Sequence, residues 1–280
     1  LPGDEYSPTQ PFPVRPPPLM KVGLNPDDAW GFTIADKLAC KGKIEAMRYG
    51  LDDPDDPWAG YYPPITEEGT VMYPMVGGGM NWSGGAFDPD RNLLITPVAE
   101  LPYYVRLIPN DQIEASDDEM AGLPMGPPDF IRGADYGLQH GPLFSPSFSP
   151  CTAPPWSKLV AVDLEKGEIV WDRPFGVMDK LAPFPLPLEF GGPFSGGAIT
   201  TGGGLAFMGA SYDERFRAYD VDTGEILWEI DTPFSANATP MTYEVDGKQY
   251  VVVSSGGHAW SPLPKGDFIL AFALPDSDSE

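Results

Sequence analysis

The chain offers little to a metal ion or to nucleophilic catalysis. Its 280 residues hold two cysteines, Cys40 and Cys151, and two histidines, His140 and His258. Structural metal sites draw on clustered Cys and His ligands, and no such spacing occurs here. The two cysteines either pair, as an oxidising compartment permits, or stay as buried thiols. Basic residues are scarce too. Seventeen Lys and Arg stand against 41 Asp and Glu, a net charge of −24. That charge repels nucleic acid and anionic membrane surfaces. It describes an acidic, well-solvated surface, or one that docks a basic partner. No apolar run approaches the roughly 18 residues of a membrane helix. No leader-like segment opens the sequence, and Leu1-Pro-Gly-Asp reads as a processed or truncated start. G-x-S-x-G, a phosphate loop and a dinucleotide fingerprint are also missing. Helical periodicity is confined to one short stretch.

What the chain has in abundance is glycine (32), proline (35) and hydrophobic residues (42 %), 12 % being aromatic. Chains this rich in Gly and Pro are often disordered, but this many aromatics can bury a large core. Two near-copies of one eleven-residue phrase organise it. The first is Ala161-Val-Asp163-Leu-Glu-Lys-Gly167-Glu-Ile-Val-Trp171. The second is Ala218-Tyr-Asp220-Val-Asp-Thr-Gly224-Glu-Ile-Leu-Trp228. Each reads strand, turn, strand: Asp bonds its own backbone and Gly accepts a positive φ. Gly85–Thr96, with a turn at Asp88–Asn92, is a third and weaker version. Such repetition marks stacked, self-similar β units, the blades of a propeller.

The chain divides into a proline-rich extended arm (residues 1–25), a helix and loop (26–68) and β-propeller blades (69–280). Asn25-Pro26-Asp27-Asp28 reads as a capping start for a helix over 26–50. Residues 107–150 read as a long excursion, and residues 276–280 as a fraying tail. The strand count yields three to four four-stranded blades, about half of a ring. Half a ring leaves sheet faces bare, so a partner chain, or a small closed ring, is implied.

Three stretches carry candidate chemistry. Gly77–Gly85 sets Asn81 and Trp82 among five glycines: an amide, a flat ring and close backbone approach, suited to a planar ligand bearing carboxylates and carbonyls. The plainer reading is a glycine-rich strand start with a packed Trp. Phe194-Ser195-Gly196-Gly197-Ala198 occupies the equivalent start of the next strand set. Gly256-Gly257-His258 follows a strand, where binding groups gather, although a lone His is often structural. His140 receives no role.

These phrases resemble the tryptophan-docking motifs of quinoprotein dehydrogenases, eight-bladed propellers that hold pyrroloquinoline quinone (PQQ). Nearly the whole chain is similar to the C-terminal half of membrane-type glucose dehydrogenases of that family. Asp28-Ala-Trp30-Gly, Met47-Arg48-Tyr49, Pro150-Cys151, Ala238-Thr-Pro-Met-Thr-Tyr and Gly256-Gly-His258 carry the likeness. It implies an all-β fold, part of an eight-bladed propeller, in which Trp171 and Trp228 dock blade to blade. It implies that Asn81, Trp82, Phe194, Ser195, Gly196 and Asp213 line PQQ, that His258 and Trp260 face the substrate, and that Cys40 pairs with Cys151. The family's catalytic aspartate and its Ca2+ or Mg2+ ligands match nothing here. A second propeller-forming chain is therefore expected to carry them, with no catalytic and no metal residue in this one. The implied activity is a periplasmic, PQQ-dependent oxidation of a sugar or alcohol, passing electrons to a quinone or cytochrome c. Trp260, where the family has small residues, argues against glucose. The competing reading is a non-catalytic propeller scaffold with PQQ-like repeats.

Overall fold

The computed structural model describes residues 14–49, 64–75, 77–80, 84–113, 131–181, 189–259 and 261–275. Among these residues fourteen strands form four antiparallel sheets. The first blade orders β2 (Ala86–Asp88), β3 (Leu93–Ala99), β6 (Ser157–Asp163) and β7 (Glu168–Pro174) from inside to outside. The second is β8 (Ile199–Thr201), β9 (Leu205–Met208), β10 (Arg215–Asp220) and β11 (Ile226–Asp231). The third has three strands, β12 (Met241–Val245), β13 (Lys248–Ser255) and β14 (Phe268–Phe272). A side sheet joins β1 (Thr70–Met72) to the hairpin of β4 (Tyr103–Pro109) and β5 (Tyr136–Pro142). The expected excursion over 107–150 thus holds a strand pair, spliced between the second and third strands of the first blade. The expected three to four four-stranded blades resolve into two four-stranded blades and one three-stranded blade.

The turns follow from local chemistry. Asp163 Oδ1 accepts from the amides of Glu165 and Lys166 at 3.0 and 2.9 Å, and Asp220 Oδ1 from Asp222 and Thr223 at 2.9 and 2.8 Å. Asp88 Oδ1 does the same for Asp90 and Arg91. Each turn closes on a residue of positive φ: Gly167 at 64°, Gly224 at 70° and Asn92 at 55°. An aspartate that mimics a turn, followed by a residue tolerant of the left-handed region, is what the phrase encodes.

The second half of the phrase builds the blade junction. Trp171 on β7 donates its indole N–H to the Val221 carbonyl of the second blade at 2.9 Å. Its ring lies on Gly224, where a Cβ would stand 2.6–2.9 Å from ring carbons. Only glycine leaves room. Around this contact Leu93, Ile95, Leu159 and Ala161 pack on Ala206, Met208, Tyr219 and Val221 as one core. A second core joins Phe216 and Phe207 to Val251, Val253, Leu270 and Phe272 of the third blade. Trp228, the equivalent indole, meets Phe272 edge-on at 5.2 Å between ring centroids.

The expected helix is split. Asn25 starts a single 3-10 turn at Pro26–Asp28, and α1 runs over Ile34–Glu45 from a capping box between Thr33 and Asp36. The turn ends at Ala29, whose ψ of 134° leaves the helical region, and only glycine fits at position 31, where a Cβ would collide with Asp36. Cys40 on α1 is bonded to Cys151, beside the side sheet. With Leu24, Ile44, Val71, Tyr73 and Leu143 the disulfide forms a third core.

Candidate functional site

Blades repeat, so the starts of their innermost strands fall at one end of the ring segment. β2 begins after Gly84–Gly85, β8 after Phe194–Ala198 and β12 after Ser235–Pro240. The first two strands are neighbours, Thr200 Oγ1 donating to the Phe87 carbonyl at 2.8 Å. The second strand of each blade ends at this same end, which brings in Tyr212 after β9 and His258 after β13. The first and third glycine stretches and the Phe194–Ala198 stretch therefore share one end of the fold.

Asn237 ties this end together. Its Nδ2 donates to the Ala210 carbonyl at 2.9 Å and to the carbonyl and hydroxyl of Ser195, both at 3.2 Å. Two carbonyl acceptors on one side fix the amide orientation. Oδ1 is thus turned away, buried and without a hydrogen-bond partner, and the buried Ser235 hydroxyl also lacks one. Unpaired buried acceptors are costly and call for a bound water or ligand. Gly196, at φ 148°, sits beneath the Asn237 carbonyl, where any Cβ would clash. Phe194 forms a bridge with Ser211 and packs edge-on against Phe175. The Tyr212 phenol, beside the Ser195 hydroxyl, is pushed above its usual pKa by burial. Tyr103 is likewise raised by burial and by the neighbouring Tyr212, and its ring stacks on His140.

The third stretch joins the same network. Gly257 N–H donates to the Ser235 carbonyl at 2.9 Å, and the His258 carbonyl accepts from Ser261 at 3.1 Å. His258 is half-buried on this turn. A continuous path therefore runs Ser195, Asn237, Ser235, Gly257, His258. Asp213 is spent differently. It is fully buried, pairs with Arg217 at 2.5 Å, and accepts from the amides of Val177 and Arg215 at 3.1 and 3.2 Å. It braces the β9–β10 turn that carries Ser211 and Tyr212. Arg217 is held above its usual pKa by Tyr219, Asp213 and Glu229, against the cost of burial. Asn81, Trp82 and Trp260 lie outside the described residues.

Sequence reasoning missed Asn237, Tyr212 and Tyr103. For Asn237 a usable signal exists. Ser235-Ala-Asn-Ala-Thr precedes β12 as Phe194-Ser-Gly-Gly-Ala precedes β8, so repeat equivalence marks it. The tyrosines carry no pattern of their own.

Comparison with known proteins agrees with this architecture. Residues 1–251 match the family model of the glucose/ethanol/alcohol dehydrogenase PQQ β-propeller domain. The chain is 38 % identical over 286 residues to quinoprotein glucose dehydrogenase of Escherichia coli (strain K12), covering 98 % of this chain and 34 % of that protein. It is 32 % identical to the glycerol dehydrogenase large subunit of Gluconobacter thailandicus, with 99 % and 38 % covered. Among solved structures, quinohemoprotein alcohol dehydrogenase from Comamonas testosteroni aligns with a TM-score of 0.49 at 24 % identity, over 73 % of this chain and 27 % of that one. The chain thus spans about one third of the length of the curated relatives it matches. It belongs to the PQQ β-propeller family of glucose, ethanol and alcohol dehydrogenases.

Proposed function

We propose that this chain forms one wall of the PQQ site in a periplasmic dehydrogenase that oxidises a sugar or an alcohol. The observation that carries this reading is the pair of buried, unpaired groups, Asn237 Oδ1 and Ser235 Oγ, where the inner strands begin. The donor set suits PQQ, a planar ring system edged by carboxylates, carbonyls and one ring N–H. Ser195 and Tyr212 offer hydroxyls to carboxylate oxygens, and Asn237 Oδ1 offers an acceptor to the ring N–H. The bare backbone at Gly196 admits a flat group at close range. Asn81, Trp82 and Phe194 extend this wall, and Asp213 supports it from behind.

PQQ, when bound, supplies a two-electron acceptor for the oxidised carbon. This chain's part is to bind, orient and exclude water. His258 holds a substrate hydroxyl and Trp260 narrows the approach, favouring an alcohol or sugar other than glucose. A partner segment supplies the aspartate that takes the hydroxyl proton, most ligands of the Ca2+ or Mg2+ ion, and the remaining blades. Electrons leave to a quinone or cytochrome c. Any attachment to a membrane runs through the partner.

The test is a PQQ titration, in the presence of Ca2+, of the protein that unites this chain with its partner segment, read by tryptophan fluorescence. Asn237→Ala is expected to weaken binding roughly 5- to 100-fold, the loss of about 1–3 kcal/mol when a buried hydrogen-bonding group is removed. Unchanged affinity in a folded variant removes this chain from the site. His258→Ala should raise KM more than it lowers kcat, because the proton is taken elsewhere. An unchanged KM for every substrate makes His258 structural.

A further inference from the structure

The two halves of the repeat allow the leading face of the first blade to be compared with a known junction. At that junction Trp171 covers Gly224 and donates to the Val221 carbonyl. The same phrase puts Gly167 and Leu164 in the corresponding places on the first blade. No strand of the described residues packs there, yet the seat is filled. A Cβ on Gly167 would stand 2.9 Å from Arg15 Cβ and 3.6 Å from the Arg15–Pro16 peptide. The arm continues across the face. Leu19 and Met20 pack with Leu94 and Ile169 on Val98, Val160 and Val162. Met20 also lies against Gly79. The three valines are at most 1 % exposed. Among the described residues nothing covers the third blade in this way, and Ile269 there is 74 % exposed.

We propose that arm residues Arg15–Met20 are a built-in cap over the leading face of the first blade, Arg15 and Pro16 standing in the seat of a docking tryptophan. A blade that joins at the leading face has to lift Arg15 from Gly167 first. The substitution is incomplete in a telling way. Pro16 has no N–H to give, and the Leu164 carbonyl, counterpart of the Val221 acceptor, receives no hydrogen bond from the described residues. An incoming indole supplies both the ring and the donor. This inference stands apart from the PQQ assignment, since it rests on the first blade and the arm alone.

The full chain carrying Leu19→Asp and Met20→Asp tests it. A charge placed against the valine face should unseat the arm. Tryptic cleavage after Lys21 is expected to accelerate at least tenfold, and binding of the dye ANS to rise several-fold, with unchanged far-UV circular dichroism. A second pair guards against simple misfolding. Gly167→Ala pushes a methyl group into Arg15, whereas Gly247→Ala adds one at a similar positive φ with open space around it. Only the first should speed cleavage after Lys21. If both the arm variant and Gly167→Ala leave cleavage and dye binding as in the parent chain, the arm is not a cap. If Gly247→Ala speeds cleavage as much as Gly167→Ala, the effect is backbone strain and the proposal fails too.

Discussion

Replacing Trp171 by phenylalanine keeps an aromatic ring over Gly224 but removes the N–H that the Val221 carbonyl accepts. A buried carbonyl left without its donor costs about 1–3 kcal/mol. Trp171→Ala also empties the junction, a loss of about 3–5 kcal/mol on the scale of aromatic-to-alanine changes in cores. Urea unfolding should rank the two variants in that order, and equal midpoints would contradict the docking role. Asp36 makes a second case in which one side chain decides. It accepts hydrogen bonds from Thr33 in the capping box and from Ser147 in the loop before Cys151. These bonds, Thr33 foremost, hold its pKa down at about 2, against 3.8 for the free group. The folded state therefore binds this proton less readily than the unfolded chain. The stabilisation is complete above pH 3.8 and is lost as pH falls through about 2. Asp36→Asn should lower Tm at neutral pH and converge with the parent chain near pH 2. A constant difference across that range would mean that charge plays no part.

The helix α1 is held by that capping box, by Ile44 in the third core and by the Cys40–Cys151 bond, which spans 111 residues. Its outer face exposes Ile34 and Leu38, so packing anchors one side only. Closing a loop of that length removes unfolded-chain entropy worth about 5 kcal/mol as an upper figure. Cys40→Ala with Cys151→Ala should cost several kcal/mol in urea, and the loss should appear first as proteolysis between α1 and β1. An unchanged unfolding midpoint would make the bond incidental. How far such elements could be read beforehand depended on how local their causes were. The eleven-residue phrase was legible because Asp163, Gly167 and Trp171 act on their own turn and the adjoining strand. Strand β5 was not, because Gly137, Gly141 and Pro142 dilute its propensity and its partner β4 lies across a long loop. The helix was placed too early because Asn25 makes a good cap; the chain leaves the helical region at Ala29, and Thr33 starts α1 anew. At the site, Ser195, Gly196 and His258 came from glycine-rich context. Asn237 sits in a bland Ala-Asn-Ala, and only the pairing of strand starts reveals its work.

At the scale of the whole molecule two opposing forces meet on the third blade. Its free side carries exposed apolar residues: Ile269 is 74 % exposed, Met241 56 % and Val245 49 %. Among the described residues no fourth strand pairs with β14, so the edge offers unpaired N–H and C=O groups. An exposed edge beside apolar residues favours addition of a strand or a blade from a partner. Against this stands a net charge of −24, which holds like chains apart. Screening decides the balance, since the Debye length falls from about 10 Å at 0.1 M salt to about 3 Å at 1 M. Attraction between apolar faces survives that change, whereas repulsion between whole molecules does not. The isolated chain should therefore sediment as a monomer at low salt and associate as salt rises, at concentrations of tens of micromolar. Ile269→Lys, which puts a charge on the edge strand of the free face without touching a buried contact, should suppress association at every salt concentration. Addition of the partner segment should do the same by covering the face. A chain that stays monomeric in 1 M salt, or an Ile269→Lys variant that associates as readily as the parent, would mean that the third blade is not the joining surface.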